Sequence, residues 1–165
     1  MDYGLKKESK IIGRREWAAL PDLGLVAIKG KIDTGAKTSS LYAYDIKVVV
    51  KDSKSYVHFK VHPLQNDLKV VVQCCAPLLG KRTVTDSGGH KEERYLIQTT
   101  LVLARVKKKI ELTLTNRKSM KYRMLIGRSA LKHNYIDPSQ SYLSGKSVKQ
   151  KRYFKELKLK LLDKA

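Results

Sequence analysis

Ile28-Lys29-Gly30-Lys31-Ile32-Asp33-Thr34-Gly35-Ala36 is the stretch whose reading decides the fold. Val26, Ile28, Gly30 and Ile32 fall on one face of an extended chain, the pattern of a half-buried strand. The strand ends on an acid followed by Thr-Gly-Ala, a tight turn in which Gly35 permits a backbone conformation that other residues resist. A carboxylate there can be held by backbone N–H groups and a neighbouring hydroxyl. Alone, the tripeptide is also consistent with a strand ending in a plain Asx-type turn. A second stretch far downstream, Met124-Leu125-Ile126-Gly127-Arg128-Ser129-Ala130-Leu131, runs an apolar strand into glycine and then a short helix.

Working outward, the chain reads as β. Residues 16–20 form a short strand or turn, stopped by Pro21-Asp22-Leu23-Gly24. Residues 46–50 and 55–62 flank Lys51-Asp52-Ser53-Lys54 as a hairpin. Residues 68–73 are apolar enough for a strand, whereas 77–91, with Gly80, Gly88 and Gly89 and little periodicity, read as a mobile loop or hairpin tip. Strands at 95–105 and 110–115 surround a basic turn at Val106-Lys107-Lys108-Lys109, and Asn116-Arg117-Lys118-Ser119 turns the chain back into 121–126. Asp137-Pro138-Ser139-Gln140 is a loop. Residues 149–163 have helical spacing, with Phe154, Leu157 and Leu161 on one side and lysines opposite. Strands at such intervals with short turns predict a closed or nearly closed antiparallel β-domain. The expected organisation is an N-terminal extension (1–10), a barrel domain (11–145) and a basic C-terminal helix (146–165). Ile11-Ile12-Gly13-Arg14 weakly echoes Leu125-Ile126-Gly127-Arg128.

A chain of 165 residues suffices for one domain with a modest core. It contains no run of 18 apolar residues, and Met1-Asp2-Tyr3-Gly4-Leu5-Lys6-Lys7-Glu8 lacks a signal-peptide core, so a cytoplasmic location is expected. The cysteines, Cys74 and Cys75, are neighbours; adjacent residues rarely reach disulfide geometry, and reduced thiols are expected, at least one of them buried. A net charge of +20 predicts attraction to polyanions, whether RNA, the ribosome or an acidic peptide. Two Phe and one Trp give little equipment for stacking bases, although nine Tyr could add some.

Five pieces carry a resemblance: Ile12-Gly13-Arg14-Arg15-Glu16-Trp17 with Leu20-Pro21-Asp22-Leu23-Gly24; the Asp33 turn with Thr38-Ser39-Ser40-Leu41; Val61-His62-Pro63; Asp86-Ser87-Gly88-Gly89-His90 with Glu93-Arg94-Tyr95; and Leu114-Thr115-Asn116-Arg117 leading to Met124 through Leu131. Over residues 11 to 145 the chain resembles the retropepsin-type aspartic peptidases. It is closer still to a bacterial retropepsin-like family labelled ATP-dependent zinc proteases, the DUF785 group. The resemblance implies a mainly β fold: a closed six- to eight-stranded antiparallel barrel of the retropepsin or acid-protease type, with a short helix after Gly127 and a C-terminal helix. It also implies an aspartic endopeptidase, or a peptidase-like protein. Such hydrolysis uses two carboxyl groups sharing one proton, and a single Asp-Thr-Gly supplies half a site, so a homodimer is required. Asp33 would be the catalytic acid or base. Thr34 and Gly35 would hold the loop, Thr34 bonding across the dimer, and Ala36 would form a small wall near the substrate. Gly127 would let the chain pass close beneath the loop, and Arg128 would tie the helix to the barrel. Asp86, Ser87, Gly88, Gly89 and His90 would form a flap, though without the symmetrical Gly-rich tip of viral enzymes. Family members often sit beside a glutamate ligase that extends a ribosomal protein's tail, which suggests an acidic tail as the peptide substrate.

The zinc label finds little footing in the residues. His58 and His62 would suit a metal on a helix, but Val57, Phe59, Val61 and Pro63 indicate a strand, in which four residues span about 13 Å. There is no His-Glu-x-x-His, no Cys-x-x-Cys and no phosphate-binding Gly-x-x-x-x-Gly-Lys-Ser/Thr loop, so no metal or cofactor is expected. The alternative reading is a module of weak or no activity whose basic surface grips peptide, RNA or the ribosome.

Overall fold

The computed structural model of the chain describes residues 10–118 and 120–163. The strands are β1 (Lys10–Gly13), β2 (Arg15–Leu20), β3 (Leu25–Ile32), β4 (Ser39–Tyr42), β5 (Tyr44–Lys51), β6 (Lys54–Val61), β7 (Val72–Thr85), β8 (Lys91–Leu103), β9 (Val106–Thr115), β10 (Met124–Ile126) and β11 (Asn134–Asp137). Single 3-10 turns, Pro21–Leu23 and Arg128–Leu131, and one helix, α1 (Val148–Leu162), complete the described fold. The expected extension, residues 1–10, lies outside the described residues except for Lys10, which opens β1.

Nine strands make one sheet in the order β2-β3-β10-β4-β9-β8-β7-β6-β5; β2 also pairs with β8 through Ala18 and Ala19, and β1 and β11 form a separate pair. Alternation sets what is buried. In β2, Glu16, Ala18 and Leu20 point inward while Arg15, Trp17 and Ala19 are partly exposed. Ile28, Leu41, Ile97, Leu101, Leu112, Met124 and Ile126 meet in the same core at no exposure. Glu16 is fully buried among them. Its carboxylate accepts from the backbone N–H of Gly13 (2.8 Å) and Leu143 (2.9 Å), and from the N–H and hydroxyl of Ser144. These donors offset the desolvation that would otherwise forbid a carboxylate there.

The expectation of antiparallel pairing is corrected: β10 lies parallel to β3, β4 parallel to β9 and β1 parallel to β11. The chain leaving β3 does not fold back as a hairpin onto β4. Instead β10 slots between them, antiparallel to β4, because its three residues and Gly127 fit beside the loop that joins the two.

Three local expectations also change. Residues 68–71 are not strand: Leu68 and Val71 point to solvent, and Asp67 accepts from the N–H of Lys69 to make a turn. Residues 77–85 are not loop but the second half of β7, which continues through a bulge where Gly80 adopts φ +152°. The basic run 106–109 is strand. The turn is Ala104-Arg105, both at positive φ (49° and 67°), the two-residue hairpin geometry that matches strand twist. The segment after β9 leads into β10, which pairs with β3 and β4 rather than with β9. Ser119 of that segment is not among the described residues.

The helix starts with a capping box, Ser147 accepting from the N–H of Gln150 and the Gln150 side chain accepting from the N–H of Ser147. The buried Gln150 amide donates to the carbonyls of Ala18 (3.1 Å) and Val26 (3.3 Å), and Phe154 meets Trp17 edge-on at 5.2 Å. Asp22, in the first 3-10 turn, accepts from the N–H and hydroxyl of Thr100 and from Lys109, anchoring that turn to β8 and β9.

Candidate active site

Asp33 follows β3 directly, and its N–H donates to the carbonyl of Ile126 at 2.9 Å, so β10 fixes the start of the turn. The Gly35 N–H donates to Asp33 Oδ1 at 3.1 Å, and the Ala36 N–H to the Asp33 carbonyl at 3.4 Å. The carboxylate is therefore aimed by its own turn, and the residue is half-buried. Gly127 runs beneath: a Cβ there would lie 2.7 Å from the Thr38 carbonyl carbon and 2.8 Å from its oxygen, distances no side chain tolerates. Its N–H donates to Ser39 Oγ at 3.0 Å. Arg128 is tied to the acid loop itself: its backbone N–H donates to the Ala36 carbonyl (2.8 Å) and its guanidinium to the Thr34 carbonyl (3.0 Å). Thr34 is exposed.

Asp33, Gly35 and Ala36 border a cleft of about 890 Å3. β7 supplies residues 82–85 to its wall, and Ser40, Arg94, Thr113 and Arg117 also line it. Sequence reasoning missed most of these. Arg82 donates to Thr38 Oγ1 (2.8 Å) and pairs with Glu111 (2.8 Å). Arg94, 8% exposed, donates to Ser40 Oγ (3.2 Å) and pairs with Glu92 (2.8 Å), while Ser40 and Thr113 hydroxyls meet at 3.0 Å. This chain of contacts gives roles to Thr38 and Ser40 and to Arg94, in two stretches whose presence was readable and whose partners, 44 to 73 residues away, were not.

Asp86 and Ser87 border the same cleft at the tip of the β7–β8 hairpin. Asp86 Oδ1 accepts from the N–H groups of Gly88 and His90, each at 2.9 Å, and Gly89 turns the chain at φ +83°. The backbone N–H of His90 leads the contacts that hold the Asp86 carboxyl below its ordinary range. His90 lies 3.4 Å from that carboxylate and is otherwise exposed.

The four-residue echo has a structural counterpart. Asp137 ends β11 much as Asp33 directly follows β3, and its Oδ1 accepts from the Ser139 N–H at 2.9 Å. The Arg14 N–H donates to the Gln140 carbonyl (2.9 Å) and its guanidinium to the Pro138 carbonyl (3.4 Å), as Arg128 does to Ala36 and Thr34. Gly13 lies against the loop so closely that a Cβ would come 2.6 Å from the Gln140 oxygen. One device, an acid turn resting on Ile-Gly-Arg, is thus built twice. The Asp137 turn does not border the Asp33 cleft.

Among the described residues, no three His, Cys, Asp or Glu side chains gather as a metal site would require. His58 lies on β6 against Cys75 (3.6 Å), and His62 stacks on Tyr44 at 4.7 Å. No helix of the described residues is long and apolar enough to cross a membrane.

Known proteins resemble this chain in both sequence and fold. Proteins named probable alpha-L-glutamate ligase are 44% identical over 151 residues in Desulfotalea psychrophila and 47% identical over 136 residues in Parasynechococcus marenigrum. The matches cover 89% and 82% of this chain but 32% and 29% of those proteins, so the chain spans about a third of their length. A crystal structure of a Legionella pneumophila protein of unknown function (DUF785) superposes with a TM-score of 0.68 at 28% identity, covering 82% of this chain and 98% of that one. The family model described as retropepsin-like aspartic endopeptidase RimB matches residues 11–147, the segment that contains both Ile-Gly-Arg clamps and the acid turn between them. The chain therefore belongs to the RimB-like family of retropepsin-like proteins.

Proposed function

We propose that the protein is an aspartic-type endopeptidase that works as a homodimer, each chain lending one Asp33. The observation that carries this is the Asp33 turn: a carboxylate oriented by the Gly35 N–H, backed by Gly127 and opening on a cleft large enough for a peptide. Peptide hydrolysis needs a base to take a proton from water and an acid to give one to the scissile carbonyl oxygen. Two carboxyls about 3 Å apart do both, since they cannot both ionise and share one proton. The pair titrates as a unit. One chain has a single Asp-Thr-Gly, so a second copy must supply the other. The hairpin tip carrying Asp86 to His90 serves as the flap, and Gly80, at the bulge, is where the hairpin bends.

The scaffold in this reading is a six-stranded barrel, β2-β3-β10-β4-β9-β8, closed where Ala18 and Ala19 pair with β8. The β5–β6 hairpin and the first half of β7 project from it, and α1 is an appended basic element. The substrate is an acidic peptide tail. Its support is the +20 charge together with relatives whose names denote glutamate ligation and of which this chain matches about a third.

The test is digestion of a peptide library enriched in glutamate runs by wild type and Asp33→Asn, with and without chelator. Cleavage by wild type, lost in the variant and indifferent to chelator, is expected. Cleavage that survives in Asp33→Asn and stops with chelator points to a metallopeptidase. Binding of acidic peptides or RNA without cleavage points to the basic module.

A further inference from the structure

A second concavity, of about 530 Å3, opens where residues 65–66, Lys118 and residues 120–123 meet the outer face of β2 and β3. Arg15, Lys29, Lys118, Lys121 and Arg123 line it, and no acid does among the described residues. Among the described residues, none of these five comes within 4.0 Å of a carboxylate. The arginines of the Asp33 cleft differ: Arg82, Arg94 and Arg117 each face an acid. Like charges gathered without counter-charge repel one another, and an arriving anion relieves that repulsion.

Three of the five cations are held in place by rings rather than by acids. The Arg15 guanidinium lies 5.5 Å from the centre of the Tyr122 ring, and the Lys29 ammonium 5.4 Å from Trp17 and 5.8 Å from Tyr142. Arg123 lies 5.0 Å over Tyr42 and donates to the Gln65 carbonyl at 3.3 Å. The Gln65 amide in turn donates to the Lys121 carbonyl, linking the two loops that flank the cleft. Ring contacts position a cation while leaving its charge uncompensated.

We propose that this cleft is an exosite for the carboxylates of an extended acidic peptide. The direction of the peptide rests on the peptidase reading; the binding does not. Lys29 and Lys31 alternate along β3 and Asp33 follows its end, so the cleft begins about 13 Å from the acid turn, a distance that four extended residues span. A peptide seated at Asp33 therefore reaches it with its next few side chains. Carboxylates suit the cleft better than nucleotides, because the two rings that line it, Tyr122 and Tyr142, already lie against cations.

The experiment reads binding of a labelled hexaglutamate peptide by fluorescence anisotropy, with the full chain carrying Asp33→Asn so that nothing is turned over. Adding Lys118→Gln and Lys121→Gln, both exposed, is expected to weaken binding about fivefold and to flatten its salt dependence. Adding Lys51→Gln and Lys54→Gln instead removes the same charge from the β5–β6 turn and is expected to change binding less than about twofold. Equal effects of the two pairs overturn the proposal. So does displacement of the peptide by a single-stranded oligonucleotide at lower concentration than by unlabelled hexaglutamate, which assigns the cleft to nucleic acid. Because cleavage is never read, absence of hydrolysis in the wild type removes the peptidase reading without touching this result.

Discussion

At the scale of single residues, the acid turn depends on an absence. Gly127 lies 2.7 Å, measured from where its Cβ would sit, from backbone that cannot move without shifting Asp33. Gly127→Ala is therefore expected to cost about 2–3 kcal/mol in chemical denaturation and to abolish peptide cleavage. Gly13→Ala is expected to destabilise similarly while disturbing only the Asp137 loop. The two cysteines make a second contrast. Burial pushes the Cys74 thiol up to about 12, whereas Cys75 is exposed beside His58. Iodoacetamide at pH 8 should label Cys75 and leave Cys74 unmodified until the protein is denatured, read by mass spectrometry of peptides.

At the scale of elements, the hairpin tip is held by its own first residue. The Asp86 carboxyl is kept below its ordinary value of 3.8 chiefly by the backbone N–H of His90. A depressed carboxylate stabilises the folded tip above the ordinary value and loses that contribution as pH falls from there through the lower folded value. Protection of the Gly88 and His90 amides, after correction for intrinsic exchange rates, should thus fall as pH drops below about 4. Asp86→Asn should remove the acid-dependent step.

Much at this level was legible. Alternation located β3, runs of β-forming residues located β5, β6 and β8, the apolar-apolar-Gly motif located β10, and the apolar spacing located α1. What failed were places where composition and geometry part company. Gly80 marks a bulge inside a strand, not a loop, and lysines 107 to 109 sit on strand because Lys107 reaches solvent, Lys108 donates to the Ala130 carbonyl and Lys109 meets Asp22. The turn falls on Ala104-Arg105, where nothing in the residue types announces positive φ. Parallel pairing of β3 with β10 joins segments about 95 residues apart and has no local signature. The site divides in the same way: Asp33 and Gly127 were readable, while the Arg94–Ser40–Thr113 chain required the sheet to bring three strands together.

At the scale of the molecule, the proposed reading gives one chain half of a catalytic site. The second acid turn, at Asp137, duplicates the clamp but does not border the Asp33 cleft, so it does not complete the site from within. Surplus charge is distributed unevenly among the described residues: arginines at the Asp33 cleft are paired with acids, and the cations of the second cleft are not. On the proposed reading, the first cleft cuts and the second holds. The most direct test of the dimeric mechanism is to unfold wild type and Asp33→Asn together, refold them at varied ratios and measure peptide cleavage at constant total protein. If each active centre needs Asp33 from both copies, activity follows the square of the wild-type fraction, about a quarter at equal amounts. Activity proportional to that fraction, about half at equal amounts, would mean that each chain acts alone and would contradict the account.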